Sequence, residues 1–274
     1  MAPKKANRKP ADVFDGPDIT DDRAQWMAHF IELQRRLKYC AIIMVAAIVV
    51  SYIYASDIYA FLVHPLVTAL GDNANGRRLI YTGLAETFIT YLKLSFFAGI
   101  FVTFPFFLIQ LWKFIAPGLY AHERRSFFPF LVATPVLFVM GGALVYYGIL
   151  PFAWSFFLGF ETPGGADTLP IELEARVSEY LSFVMTLILA FGVCFELPVF
   201  LVLLAQAGII TAQGLVKKRK FVIVTAFLVA AILTPPDVIS QFGLAIPILL
   251  LYEVSILLIK SMRRRDEKDE RTKN

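Results

Sequence analysis

Apolar residues in this chain come in long unbroken runs rather than short alternations, and each run is read against the length of a membrane-crossing helix. Such a helix needs about 20 consecutive, mostly apolar residues. Residues 38–56 (KYCAIIMVAAIVVSYIYAS) fit, as do residues 91–115, an aromatic run with Pro105 inside it as an expected kink. A third run covers 127–152, interrupted by Pro135 and Gly141-Gly142, and a fourth covers 180–206 and encloses Glu196. Two more apolar runs, 221–233 and 242–259, are split by Thr234-Pro235-Pro236-Asp237. Two prolines and an aspartate predict a turn there, and so a hairpin of two short helices. The first has only about 13–15 residues, short for a ~30 Å hydrocarbon core, which calls for local thinning or a recessed position.

Composition strengthens this picture. The 274 residues are 58% hydrophobic and 18% charged, where a soluble domain has about 45–50% apolar and about 25% charged residues. The net charge of +4 says less than its placement. With the N-terminus inside, 22 of the 26 basic residues fall on one side of the membrane, and only Arg77, Arg78, Lys93 and Arg176 on the other. Basic residues concentrate on the cytoplasmic side, so the fold class predicted is an all-α polytopic membrane protein of six transmembrane helices, N-in/C-in, the last two short. Six is preferred to five because both basic ends then share a side. Residues 57–90 and 153–178 become external loops, rich enough in proline to form short helices and a cap. Residues 1–25 are expected to be a disordered cytoplasmic tail with no apolar leader segment, 26–260 the membrane domain, and 261–274 a charged cytoplasmic tail.

Enzymatic chemistry finds little support. There is no G-x-S-x-G nucleophile turn and no H-E-x-x-H metal helix, and His29, His64 and His122 are scattered. Cys40 and Cys194 sit in apolar runs without metal-ligand spacing. No catalytic residue, metal or cofactor is therefore assigned. Glu196 is the most informative residue, because an ionised carboxylate in hydrocarbon costs several kcal/mol. Either it is neutral and bonded to a backbone group freed by Pro198, or it forms a polar site for a substrate or partner helix. Glu253 raises the same question nearer the inner end, where a plain structural role is favoured. Residues 26–37 form an amphipathic helix with Phe30, Leu33 and Leu37 on one face, and Glu32 and Arg36, four apart, are spaced to pair. Residues 113–125 form an inner loop shaped by Pro117-Gly118, with Glu123 beside Arg124 and Arg125.

Four stretches carry a family resemblance: HFIELQRRL before the first helix, KFIAPGLYAHERR after the second, EYLSFVMTLILAFGVCFELPVFLVLL at the fourth, and KKRKFVIVTAFLVAAILTPPDVISQFGLAIPILLLYE at the end. In this order, over residues 26–260, they resemble the TatC family, receptor core of the twin-arginine protein translocase. The resemblance implies an inner-membrane receptor of a Gram-negative bacterium. It would bind twin-arginine signal peptides of folded cargo on the cytoplasmic face with a TatB-like protein, then recruit a TatA-like one for export driven by the proton-motive force. Carried over, Glu32 and Glu123 match the acids that read the arginines, and Phe114, Pro117, Leu119 and Tyr120 match the shape of the first inner loop. Pro65 matches a proline of the first external loop, Glu196 the intramembrane acid, and Asp237 and Gln241 the polar pair at the last external turn. The family usually has Arg two residues after the first of these glutamates, where this chain has Gln34, so that either Arg36 is the substitute or the site binds differently. Single-span TatA-like and TatB-like proteins, membrane lipid and further copies in an oligomer are the partners implied, with no nucleic acid. The rival reading is a secondary transporter using Glu196 as a proton-coupled site. Its expected inverted repeat is not visible, since both interrupted segments are adjacent at the C-terminal end.

Overall fold

The structure, a computed structural model, describes residues 19–71, 77–119, 124–165, 169–233 and 238–273. Among these, regular structure is helical, apart from two isolated β-bridges. The chain divides into two compact units, residues 1–39 and 40–274. The first contains the start of α1 (Ile19–Ile53). Helix covers residues 19–25, expected as disordered tail, because no glycine or proline interrupts the chain between Ile19 and Ile53. The second unit contains the rest of α1, then α2 (Ala55–Leu70), α3 (Glu86–Leu119), α4 (Arg124–Leu144), a π-helical turn (Val145–Ile149) and α5 (Leu150–Leu158). It continues with α6 (Val177–Phe195), α7 (Leu197–Gln206), α8 (Ala212–Leu233) and α9 (Val238–Lys273).

Five segments among the described residues are long and apolar enough to cross a membrane: Phe30–Ile53, Glu86–Phe114, Pro129–Leu158, Val177–Gln206 and Ser240–Met262. α8 is not one of them, since Lys217, Lys218, Arg219 and Lys220 occupy its first half. The final helix corrects the expectation of a short pair. Its apolar stretch has 23 residues, about 34 Å at 1.5 Å per residue. Ser255 within the expected run and Ser261 just past it donate their hydroxyls to Leu251 and Leu258 carbonyls of the same helix. With no glycine or proline after Pro247, the helix runs on to Lys273 through the expected charged tail.

The third span also departs from its expected form. α4 passes through Pro135 and Gly141-Gly142 without a break, and the irregularity falls at Val145–Ile149. There the Leu150 N–H reaches back five residues to the Val145 carbonyl. Pro151 follows at once, and its ring would clash with the carbonyl of Tyr147 in a regular α-helix, so one extra residue enters the turn. The glycines serve close packing instead. A Cβ on Gly141 would meet the Phe191 carbonyl oxygen at 2.5 Å, and one on Gly192 would meet the Phe138 ring at 2.7 Å. α4 and α6 thus touch backbone to backbone, the small-residue contact through which helices associate in lipid by van der Waals packing. α6 is the hub: Leu181, Val184, Leu187, Ile188 and Phe191 are all buried in the main core. Phe138 and Leu94, both fully buried, close around it from α4 and α3.

Candidate functional site

The fourth span breaks where its acid lies. α6 ends at Phe195, α7 starts at Leu197, and Glu196 stands between them with φ −76° and ψ −12°. Pro198 explains the break, because it offers no N–H and its ring displaces the carbonyl four residues back. Glu196 is 7% exposed, and neither carboxyl oxygen meets a hydrogen-bond partner among the described residues. Thr134 of α4 faces it, close enough to act on the carboxyl but outside hydrogen-bond geometry, and its own hydroxyl is fully buried and unpartnered. One and two turns further along this face, Val199 and Leu203 pack on Trp112 of α3, whose indole N–H is also unpartnered. The expected alternative, a Glu bonded to a freed backbone carbonyl, is not what is found. Unmet buried polar groups cost about 1–3 kcal/mol each, so this cluster does not serve stability.

Pro65 lies inside α2 and is buried. Lacking an N–H, it leaves the Phe61 carbonyl without its helical donor. The Tyr146 hydroxyl supplies one at 2.9 Å, and the two rings stack with centroids 4.3 Å apart. One residue on, the Tyr180 hydroxyl donates to the Leu62 carbonyl at 2.9 Å, and Tyr180 stacks on Trp154. A proline-loosened helix is therefore pinned to the π-turn and to α6 by two phenols. Sequence reading singled out Pro65 but not its tyrosines, which no spacing rule connects.

The segments after α2 and after α5 are tied by two carboxylates. Arg77 donates both terminal nitrogens to Glu161, one of them at 2.7 Å to Oε2, and the Leu173 N–H adds a bond to Oε1 at 2.9 Å. Glu86 Oε2 accepts the N–H groups of Thr82 and Gly83, while its Oε1 accepts the Ser178 hydroxyl at 2.5 Å. Short bridges, Ile80 with Arg176 and Thr162 with Ile171, complete the clasp. Hydrogen bonding to Arg77 and then to the Leu173 N–H lowers the Glu161 carboxyl below its ordinary range. Charge sorting placed these residues on one side of the membrane but gave no pairing.

The remaining candidates lie apart from these groups or outside the described residues. In the first unit, Arg36 donates from Nε and Nη2 to Glu32 Oε1 at 3.0 and 2.6 Å, the pairing that the spacing predicts. Glu123, Tyr120 and Asp237 lie outside the described residues. Phe114 is half-buried, and α3 continues past it as helix through Pro117 to Leu119, where a loop was expected. Neither Pro105 nor that Pro-Gly pair ends the helix. Gln241 donates to the Phe227 carbonyl at 3.3 Å, linking α9 to α8 beside an edge-to-face contact of Phe227 with Phe242. Glu253 accepts the Arg219 guanidinium of α8 at 2.6 Å. No group of three metal-ligating side chains is found among the described residues.

The family model for the Sec-independent protein translocase protein (TatC) matches residues 28–247. A TatC from Magnetococcus marinus is 46% identical over 250 residues, 91% of this chain and 89% of that protein. The Escherichia coli K12 TatC is 40% identical over 238 residues, covering 86% and 88%. The crystal structure of a twin-arginine translocase receptor, TatC, superposes with a TM-score of 0.72 at 36% identity, covering 84% of this chain and 99% of that one.

Proposed function

This chain belongs to the TatC family of Sec-independent protein translocase proteins, and from that premise we propose how its residues divide the work of the pathway. It is a multi-pass membrane protein, a receptor component of Tat protein translocation and not an enzyme. Our reading gives it six spans in a bacterial inner membrane, α8 supplying the sixth, with both termini cytoplasmic as the 22 basic residues of one side favour. Glu32 and Glu123 receive the two arginines of a signal peptide. A guanidinium presents a planar fork of donors that a carboxylate accepts in bidentate fashion, and lysine fits that geometry less well. Arg36 orients Glu32, standing in for the arginine usual at the position of Gln34. Phe114, Pro117, Leu119 and Tyr120 take part in signal-peptide binding. Pro65, Asp237 and Gln241 belong to the contact with TatA-like and TatB-like single-span proteins, in an oligomer powered by the proton-motive force.

The observation that carries this reading is Glu196, a buried acid with unmet oxygens at a break within a span. Intramembrane ionisable residues of this kind mark pathways and partner sites. We assign it to the apolar part of the signal peptide or to a partner helix arriving after the arginines dock. The test is site-specific photocrosslinking from positions 32 and 123 to a signal peptide, comparing Arg-Arg with Lys-Lys. Crosslinks that depend on the arginine pair support the assignment. Equal crosslinking with lysine, or none in correctly inserted protein, removes Glu32 and Glu123 from the site.

A further inference from the structure

α8, whose apolar run is too short to count among the five long spans, carries a dense run of positive charge. Lys217, Lys218, Arg219 and Lys220 of α8 are all exposed and directly precede its apolar half. Helical spacing sorts them. Arg219 is on the face turned to α9, with Leu215, Ala226 and Ala230, and its guanidinium is engaged by Glu253. Lys218 and Lys220 lie about 100° to either side of it. Lys217 points away from α9 and heads the stripe Phe221, Val224, Leu228 and Ile232, whose members are 59–75% exposed. Lys220 stands beside it, three residues on, and one turn before Val224.

Two features say what covers this face. The first is charge. Among the described side chains of α9, Glu253 is the carboxylate turned toward this end of α8, and Arg219 takes it. Among the described residues no ion pair engages Lys217, Lys218, Lys220 or Lys260, the last exposed at the same end of α9, next to the Ile259 that packs with Ala212 and Leu215. The second is length. The stripe from Phe221 to Ile232 spans about 16 Å, the depth of one leaflet of a ~30 Å core, while the membrane-crossing segment of the neighbouring α9 is 23 residues long. We propose that this end of α8 binds an anionic phospholipid. Its phosphate bridges the Lys217 and Lys220 ammonium groups, and its chains lie along Phe221, Val224, Leu228 and Ile232. Two lysines three residues apart on a helix stand about 5–6 Å from each other at Cβ, a spacing that one phosphate spans. A zwitterionic lipid has a phosphate too, but its own cation competes for it.

Native mass spectrometry of the full chain in a neutral detergent, titrated with phosphatidylglycerol or phosphatidylcholine of identical chains, tests the proposal. Phosphatidylglycerol is expected to be retained in preference. In Lys217→Gln/Lys220→Gln its affinity should fall about 25-fold, each lysine near an anionic headgroup being worth about fivefold, with phosphatidylcholine unchanged. Lys38→Gln/Lys113→Gln, which removes equal charge elsewhere, should keep the preference. Equal retention of the two lipids overturns the proposal, as does an equal loss in both double variants, which would mean general attraction to a basic surface. Quantitative disulfide crosslinking of Leu228→Cys to a single-span partner, in membranes where the purified chain retains no phosphatidylglycerol, would give the stripe to a protein helix instead.

Discussion

The carboxylates of the span interior and those of the clasp between loops are the same chemical group in opposite circumstances. Glu161 and Glu86 have both oxygens occupied, by a guanidinium fork, backbone N–H groups and a serine hydroxyl. Glu196 is more deeply buried and has neither oxygen satisfied among the described residues. Near water, an acid is cheap to ionise and useful as an architectural tie. Within a span, desolvation makes an unmet carboxyl costly. An acid that persists there without partners is explained by what it binds, whereas the clasp acids are explained by what they hold.

The sharpest way to break this contrast is to replace each acid and measure both transport and stability. Glu196→Leu should reduce export of a twin-arginine substrate by tenfold or more in a complementation assay, while thermal stability in detergent stays equal or rises. Normal export by this variant would remove Glu196 from the mechanism. Glu161→Leu should do the reverse, lowering Tm by several degrees because the Arg77 fork and the Leu173 N–H lose their acceptor together, with export falling only as far as folded protein is lost.

Two smaller effects sharpen the picture of the clasp and of α2. Tyr146→Phe removes one donor and should cost about 1 kcal/mol. In a Pro65→Ala background that cost should shrink by about half or more, because the restored N–H of residue 65 can serve the Phe61 carbonyl. A double-mutant cycle by thermal unfolding measures the difference, and additive costs would show that the two residues are not coupled. The smallest effect is the pH dependence of Glu161. Its folded value lies below the ordinary carboxylate value of 4.5, so its contribution is fully present above about 4.5 and is lost as pH falls through the lowered value. The Tm of the parent protein should therefore decline more steeply below pH 4.5 than that of Glu161→Gln. Parallel curves would show that the pairing contributes nothing to folded stability.

Sequence alone was enough for five long spans, the family and the solitary acid, because apolar runs of membrane-crossing length and a carboxylate within one of them are local, one-dimensional signals. Pro198 beside Glu196 signalled a freed backbone group, but not that the carboxyl would be without a partner among the described residues. The shifted irregularity of the third span was less legible: Pro135 and Gly141-Gly142 looked like breakers, yet glycine in lipid is as often a packing surface, and only the approach of Phe191 and Phe138 shows which. The short C-terminal pair was half right: α8 has only a short apolar run, whereas the last span reaches beyond 242–259 to Ser240–Met262. Tertiary structure alone decided the pairings of Arg77 with Glu161, Glu86 with Ser178, and Tyr146 and Tyr180 with α2. Their partners lie 84, 92, 85 and 118 residues apart. Such distant hydrogen bonds depend on how helices rotate about their axes when they pack, and no local pattern of residues encodes that rotation.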